Sequence, residues 1–176
     1  MLVTCLFYPA ILGYLFYFLL DRLTWGGFTL DSLVLIVAYI GIVTAFSIDF
    51  LYSYATREYY SARLFVADLV ILVFLLLASR ALVEGITEND DVWFFFVSYT
   101  AIHVVFLIWD LILLDRSLRR ASIIAYDACG LIISLIGLLF FRDSVVAAII
   151  TLWACSIAYL LVGWKAIFEM VETEKR

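Results

Sequence analysis

The stretch from Ala121 to Phe141, ASIIAYDACGLIISLIGLLFF, decides the fold. Asp127 is its one charged residue, and the rest is apolar, small or weakly polar. A helix of this length rises about 31 Å, enough to cross a hydrocarbon core of roughly 30 Å. Working outward, five comparable runs lie near residues 3–20, 31–50, 63–83, 92–114 and 144–168, with this one at 121–141. The expected fold is an all-α integral membrane protein, a single six-helix bundle over residues 1–176.

Composition points the same way. The chain is 67% hydrophobic and 15% charged, with a mean hydropathy of +1.14. Soluble domains carry roughly 25% charged residues. No soluble fold of 176 residues hides this much apolar surface, so lipid is the solvent. The N-terminal run has no basic residues ahead of it and ends in Asp21-Arg22, which reads as a retained span and not as a cleaved signal. The longest connection, from Arg80 to Asp91, leaves no room for a soluble domain between spans, and only Arg142-Asp143 separates the last two.

Lys and Arg set the orientation. Arg57 and Arg63 fall in the second loop, Arg116, Arg119 and Arg120 in the fourth, and Lys165, Lys175 and Arg176 at the C-terminal end. The first, third and fifth loops hold only Arg22, Arg80 and Arg142. The positive-inside rule then puts both termini in the cytoplasm and the acidic third loop, with Glu84, Glu88, Asp90 and Asp91, outside. Trp25 and Trp93 fall at the outer interface, Trp109 and Trp164 at the inner one. The expected location is the plasma (inner) membrane.

The chain carries a weak internal repeat. Phe46–Asp68 aligns with Phe106–Asp127, each running helix, aspartate, basic loop, helix, aspartate. Asp49 then corresponds to Asp110, and Asp68 to Asp127. Repeated hairpins are common in transporters, and also occur in channels and plain bundles.

Small or polar stripes run along most helices at helical spacing. They are Ala10, Tyr14, Tyr17, Asp21; Ala38, Gly41, Ala45, Asp49; Tyr99, His103, Phe106, Asp110; Asp127, Gly130, Ser134, Gly137; and Ala147, Thr151, Ala154, Ala158. Close helix packing accounts for the small residues, but not for the charges. Ionisable groups at depth cost several kcal/mol and mark ion or proton paths, or else pair with one another. Asp49, Asp68, Asp110 and Asp127 converge on the inner third of the membrane. In a homo-oligomer they become acidic rings, which select cations. In the structural alternative, the neighbouring arginines pair with them and lock the hairpins. His103, the only histidine, sits mid-span as a relay or gate, or as a simple interhelical hydrogen bond.

Arg57, Tyr59, Tyr60, Arg63, Arg116, Arg119 and Arg120 make the cytoplasmic loops basic and aromatic. Anchoring on the anionic inner leaflet of the bilayer explains them. The sharper reading is a cytosolic anionic ligand, a nucleotide or single-stranded nucleic acid, stacked on tyrosine. Cys5, Cys129 and Cys155 are scattered hydrophobes, with no metal-binding spacing. There is no phosphate loop, no HExxH and no nucleophile triad, so neither an enzyme nor a cofactor is expected.

Three functions follow in order. The first is a small oligomeric channel or pore-forming protein gated through the basic loops, such as a stress or phage-defence effector. The second is a secondary or proton-coupled transporter using the intramembrane Asp and His residues. The third is a non-transporting anchor or interaction subunit.

Overall fold

The computed structural model describes residues 2–26, 29–55, 62–88, 92–113 and 121–174. Among the described residues six helices follow one another: α1 (Leu2–Gly26), α2 (Leu30–Ala55), α3 (Ala62–Glu88), α4 (Trp93–Ile108), α5 (Ala121–Phe140) and α6 (Val145–Glu174). A π-helical turn, Trp109–Leu113, extends α4. Among the described residues there is no strand. Among the described residues five segments are long and apolar enough to cross a membrane: Leu30–Ile48, Phe65–Glu88, Trp93–Ile112, Ala121–Phe140 and Val145–Trp164. Within α1, the stretch Pro9–Asp21 forms a shorter apolar helical segment among the described residues. The helices carry apolar residues on nearly every face, as helices bathed in lipid do.

Local chemistry sets the ends. Thr29 and Ser32 cap α2 reciprocally: Ser32 N–H donates to Thr29 Oγ1 at 3.3 Å, and Thr29 N–H donates to Ser32 Oγ at 3.2 Å. The turn between α5 and α6 is closed by Ser144 N–H on Phe141 O at 2.9 Å. Ser144 Oγ then accepts from Ala147 N–H at 3.2 Å and caps α6. One boundary differs from expectation. Arg80 and Glu84 belong to α3, which continues to Glu88, and not to a third loop. The charges face outward while Ala81, Leu82 and Val83 stay buried, so packing carries the helix past them.

The helices form a ring. α2 packs on α3, α3 on α4, α4 on α5, α5 on α6, and α6 back on α2, while α1 lies outside against α2. Ile42, Phe46, Ile71, Leu82, Phe95, Phe96 and Leu152 fill the core. Lipid tails are as apolar as leucine, so close fit and hydrogen bonds hold helices together, not burial from water. Two glycine seams supply that fit. At the closing seam Gly41 lies under Trp153, whose indole N–H donates to Val37 O at 3.2 Å. A Cβ at position 41 would meet Leu152 and Trp153 at 3.0–3.2 Å. Gly41→Leu should therefore cost about 1–3 kcal/mol, the usual range for overpacking, measurable as a lowered unfolding midpoint in detergent.

The second seam joins α4 to α5. Phe96 sits on Gly137, and His103 on Gly130. Seven residues down α4 match seven residues back up α5, as antiparallel helices require. Ser134, between the two glycines, is fully buried.

The stripes of α2, α4 and α5 face inward, with Ala38, Gly41, Tyr99, His103, Asp110, Asp127, Gly130, Ser134 and Gly137 all buried. The stripe of α1 does not: Tyr14 and Tyr17 are 57% and 70% exposed. On α6 the buried face is rotated toward Ala148, Thr151, Leu152, Cys155, Ser156 and Tyr159. Trp93 and Trp164 are exposed, but Trp109 is packed inside the ring and does not stand at a lipid interface.

Candidate functional site: a buried histidine–aspartate pair

α4 carries Tyr99, His103 and Phe106 on its inner face, spaced one turn apart. Across the seam, α5 supplies Tyr126, Asp127 and Gly130. α6 contributes Cys155, Ser156 and Tyr159. These residues make a polar layer inside a ring whose outer surface is apolar.

His103 is the centre of the layer and is 1% exposed. Its ring lies flush on the backbone of Gly130, where any Cβ would collide with the imidazole. Three aromatic rings surround it: Tyr99 at 5.4 Å, Tyr126 at 5.7 Å and Phe106 at 6.3 Å between centroids. Tyr126 stacks on Tyr159 at 4.9 Å. Gly130 and these rings hold the imidazole in place. Its Nδ1 stands 3.8 Å from Asp127 Oδ1. That is ion-pair range, longer than a hydrogen bond. Among the described residues neither ring nitrogen makes a hydrogen bond.

Beside the imidazole is a cavity of about 30 Å³, lined by Tyr99, His103, Phe106, Tyr126, Ser156 and Tyr159 together with aliphatic side chains. A water molecule needs ~10–15 Å³ and two or more polar partners. The histidine and the hydroxyl-bearing side chains supply the partners. The imidazole therefore has a carboxylate on one side and a water-sized, mainly apolar space with a few polar groups at hand.

Asp110 and Asp68 are also buried, each 3% exposed, and both are engaged by neighbours. Continuing the α4–α5 register puts Asp127 level with Phe106. Asp110 then lies one turn, about 6 Å, further along the same axis. It sits within the π-helical turn, where Trp109 and Asp110 are both held inside. Such turns are frequent at functional sites, because the widened register re-aims side chains. Asp68 and Asp127 each lie six residues past the start of their helices, Ala62 and Ala121.

The other expected residues fall elsewhere. Asp49 is on α2, but its side chain is outside the described residues, as are Arg57, Tyr59, Tyr60, Arg116, Arg119 and Arg120. Arg63 stands exposed at the start of α3. Sequence reasoning set His103 on a face with Tyr99 and Asp110, and missed its pairing with Asp127. The signal was present as Phe96 and His103 on one helix and Gly130 and Gly137 on the next, two pairs with the same spacing. It also missed Ser156 and Tyr159, whose helix is rotated from the expected stripe. Among the described residues no group of histidine, cysteine and carboxylate side chains is arranged to hold a metal. No protein-family model, curated protein or solved structure matches the chain.

Proposed function

We propose that this chain is a proton-coupled membrane carrier, with His103 and Asp127 as its coupling pair. One observation carries the reading: a titratable pair 3.8 Å apart, 1% exposed at each partner, inside the helix ring of a single copy. An oligomeric pore lined by these carboxylates needs them on a surface that faces a symmetry axis. Asp68, Asp110, Asp127 and His103 all turn away from the outer surface instead. The second function class is therefore better supported than the first.

The chemistry is that of a held proton. The imidazole takes a proton at one nitrogen and becomes a cation beside the Asp127 carboxylate, which stabilises it. It releases the proton from either ring nitrogen. The cavity hydroxyls and Asp110 provide the next stations. Buried ionisable groups in such chains mark proton relays in membrane proteins.

The rest of the architecture fits as part of the same proposal. α1 crosses as a sixth span, both ends lie in the cytoplasm, and the protein resides in the plasma membrane. The matching positions of Asp68 and Asp127 reflect duplicated hairpins. The arginine-rich connections rest on the anionic inner leaflet.

Proteoliposomes loaded with a pH-sensitive dye test the reading. With potassium and valinomycin clamping the potential, an imposed pH gradient should drive proton entry when a mixture of small solutes is supplied outside, and little when it is omitted. That entry should saturate with gradient and show no unitary current steps in planar bilayers. Resolved single-channel steps would sink the carrier.

A further inference from the structure

Arg80 and Glu84 lie within the apolar span Phe65–Glu88, yet their side chains are 68% and 36% exposed. A hydrocarbon core of roughly 30 Å centred on that span puts Glu84 about 4 Å and Arg80 about 10 Å below its edge. Charges facing lipid at that depth are costly and need a partner or a path to the interface. Each is part of the other's answer: Arg80 Nε donates to Glu84 Oε1 at 2.6 Å. That bond uses one of the five guanidinium N–H groups and one of the two carboxylate oxygens.

The pair borders a groove of about 140 Å³ between α1 and α3, walled also by Tyr14, Leu15 and Val83. The groove therefore offers a cation with spare donors, an anion one turn above it, a phenol and an apolar floor. It opens on the lipid-facing side, where Tyr14 is 57% exposed. A ligand matched to it bears a phosphate and a primary ammonium a short link apart, on an apolar body.

We propose that this groove binds the headgroup of phosphatidylethanolamine, with its phosphate on Arg80 and its ammonium on Glu84. The acyl chains run along the bundle below. The chemistry discriminates: a choline headgroup has no N–H to give Glu84, and a glycerol headgroup has no cation. The site is independent of the proton path, and its failure leaves that reading untouched.

Native mass spectrometry on protein released from nanodiscs tests it, with the ethanolamine, choline and glycerol phospholipids in equal amounts. The expected result is one retained phosphatidylethanolamine. Arg80→Gln should lower its retention about tenfold, the scale of one charge-assisted contact. Glu84→Gln should remove the preference over phosphatidylcholine while phosphate binding persists. Arg142→Gln, in the exposed turn after α5, should change nothing. Equal retention of the three lipids would overturn the proposal, as would a preference that survives both variants. Soluble glycerophosphoethanolamine should not displace the bound lipid; displacement would overturn the membrane lipid as the source. Should Arg80→Gln fail to fold, Glu84→Gln alone decides.

Discussion

Gly130→Ala is expected to destabilise the bundle by about 3 kcal/mol or more, the upper end of overpacking costs. The added methyl overlaps the van der Waals volume of the His103 ring. The imidazole has two torsions with which to escape, but Tyr99, Phe106 and Tyr126 crowd it and the cavity of about 30 Å³ at its side is smaller than the ring. The helices must then separate, and the strain passes along the seam to Phe96 on Gly137. Chemical or thermal unfolding in detergent measures the loss. Gly13→Ala is the control: nothing lies within 4 Å of a Cβ there, and alanine is worth up to ~1 kcal/mol over glycine within a helix. The double variant Gly130→Ala with His103→Ala should recover much of the stability, because the methyl then enters space the ring has left. No recovery would mean that the seam is held by something other than this single contact.

The second large effect is functional. Asp127→Asn should lower proton flux in the dye-loaded vesicles by about a hundredfold or more, the scale of a lost acid–base group. The amide keeps the size of the carboxylate but cannot stabilise an imidazolium, so the histidine no longer holds a proton there. Unfolding midpoints should move less than the flux, because the replacement retains the shape of the side chain and one acceptor oxygen. Flux at the wild-type level in Asp127→Asn would remove the pair from the proton path. A loss of folding together with a loss of flux would point to a clamp between α4 and α5 instead.

These two experiments probe one feature from its two sides. Gly130 gives His103 its place, and Asp127 gives it its charge state. The imidazole thus serves both packing and chemistry, and the variants separate them.

Much of the helical layout can be read directly from the sequence, because long apolar runs have few alternatives in structure. The inward faces of α2, α4 and α5 are legible for a related reason. Asp127, Gly130, Ser134 and Gly137 share one side of a helix, and neither a buried charge nor a stripe of small residues belongs against lipid. α1 gives no such lead. Tyr14 and Tyr17 are at home at a lipid interface as well as in a core, and their periodicity does not say which they face. The extent of α3 was hidden by Arg80 and Glu84, which look like loop residues until the helix supplies the partner one turn away. The pairing of His103 with Asp127 depends on how two helices slide against each other. That offset is fixed by Phe96 and His103 fitting over two glycines, a match of shapes rather than of residue classes.

The closing seam between α2 and α6 has a consequence for biogenesis. Trp153 reaches Val37 across 116 positions of the chain, so the ring stays open until the last helix has entered the bilayer. Throughout synthesis α2 presents Gly41 and its small-residue face to lipid, without the partner that fills it. A nascent chain stalled before α6 thus displays an unsealed groove. The arrival of Trp153 fills that groove and closes the ring.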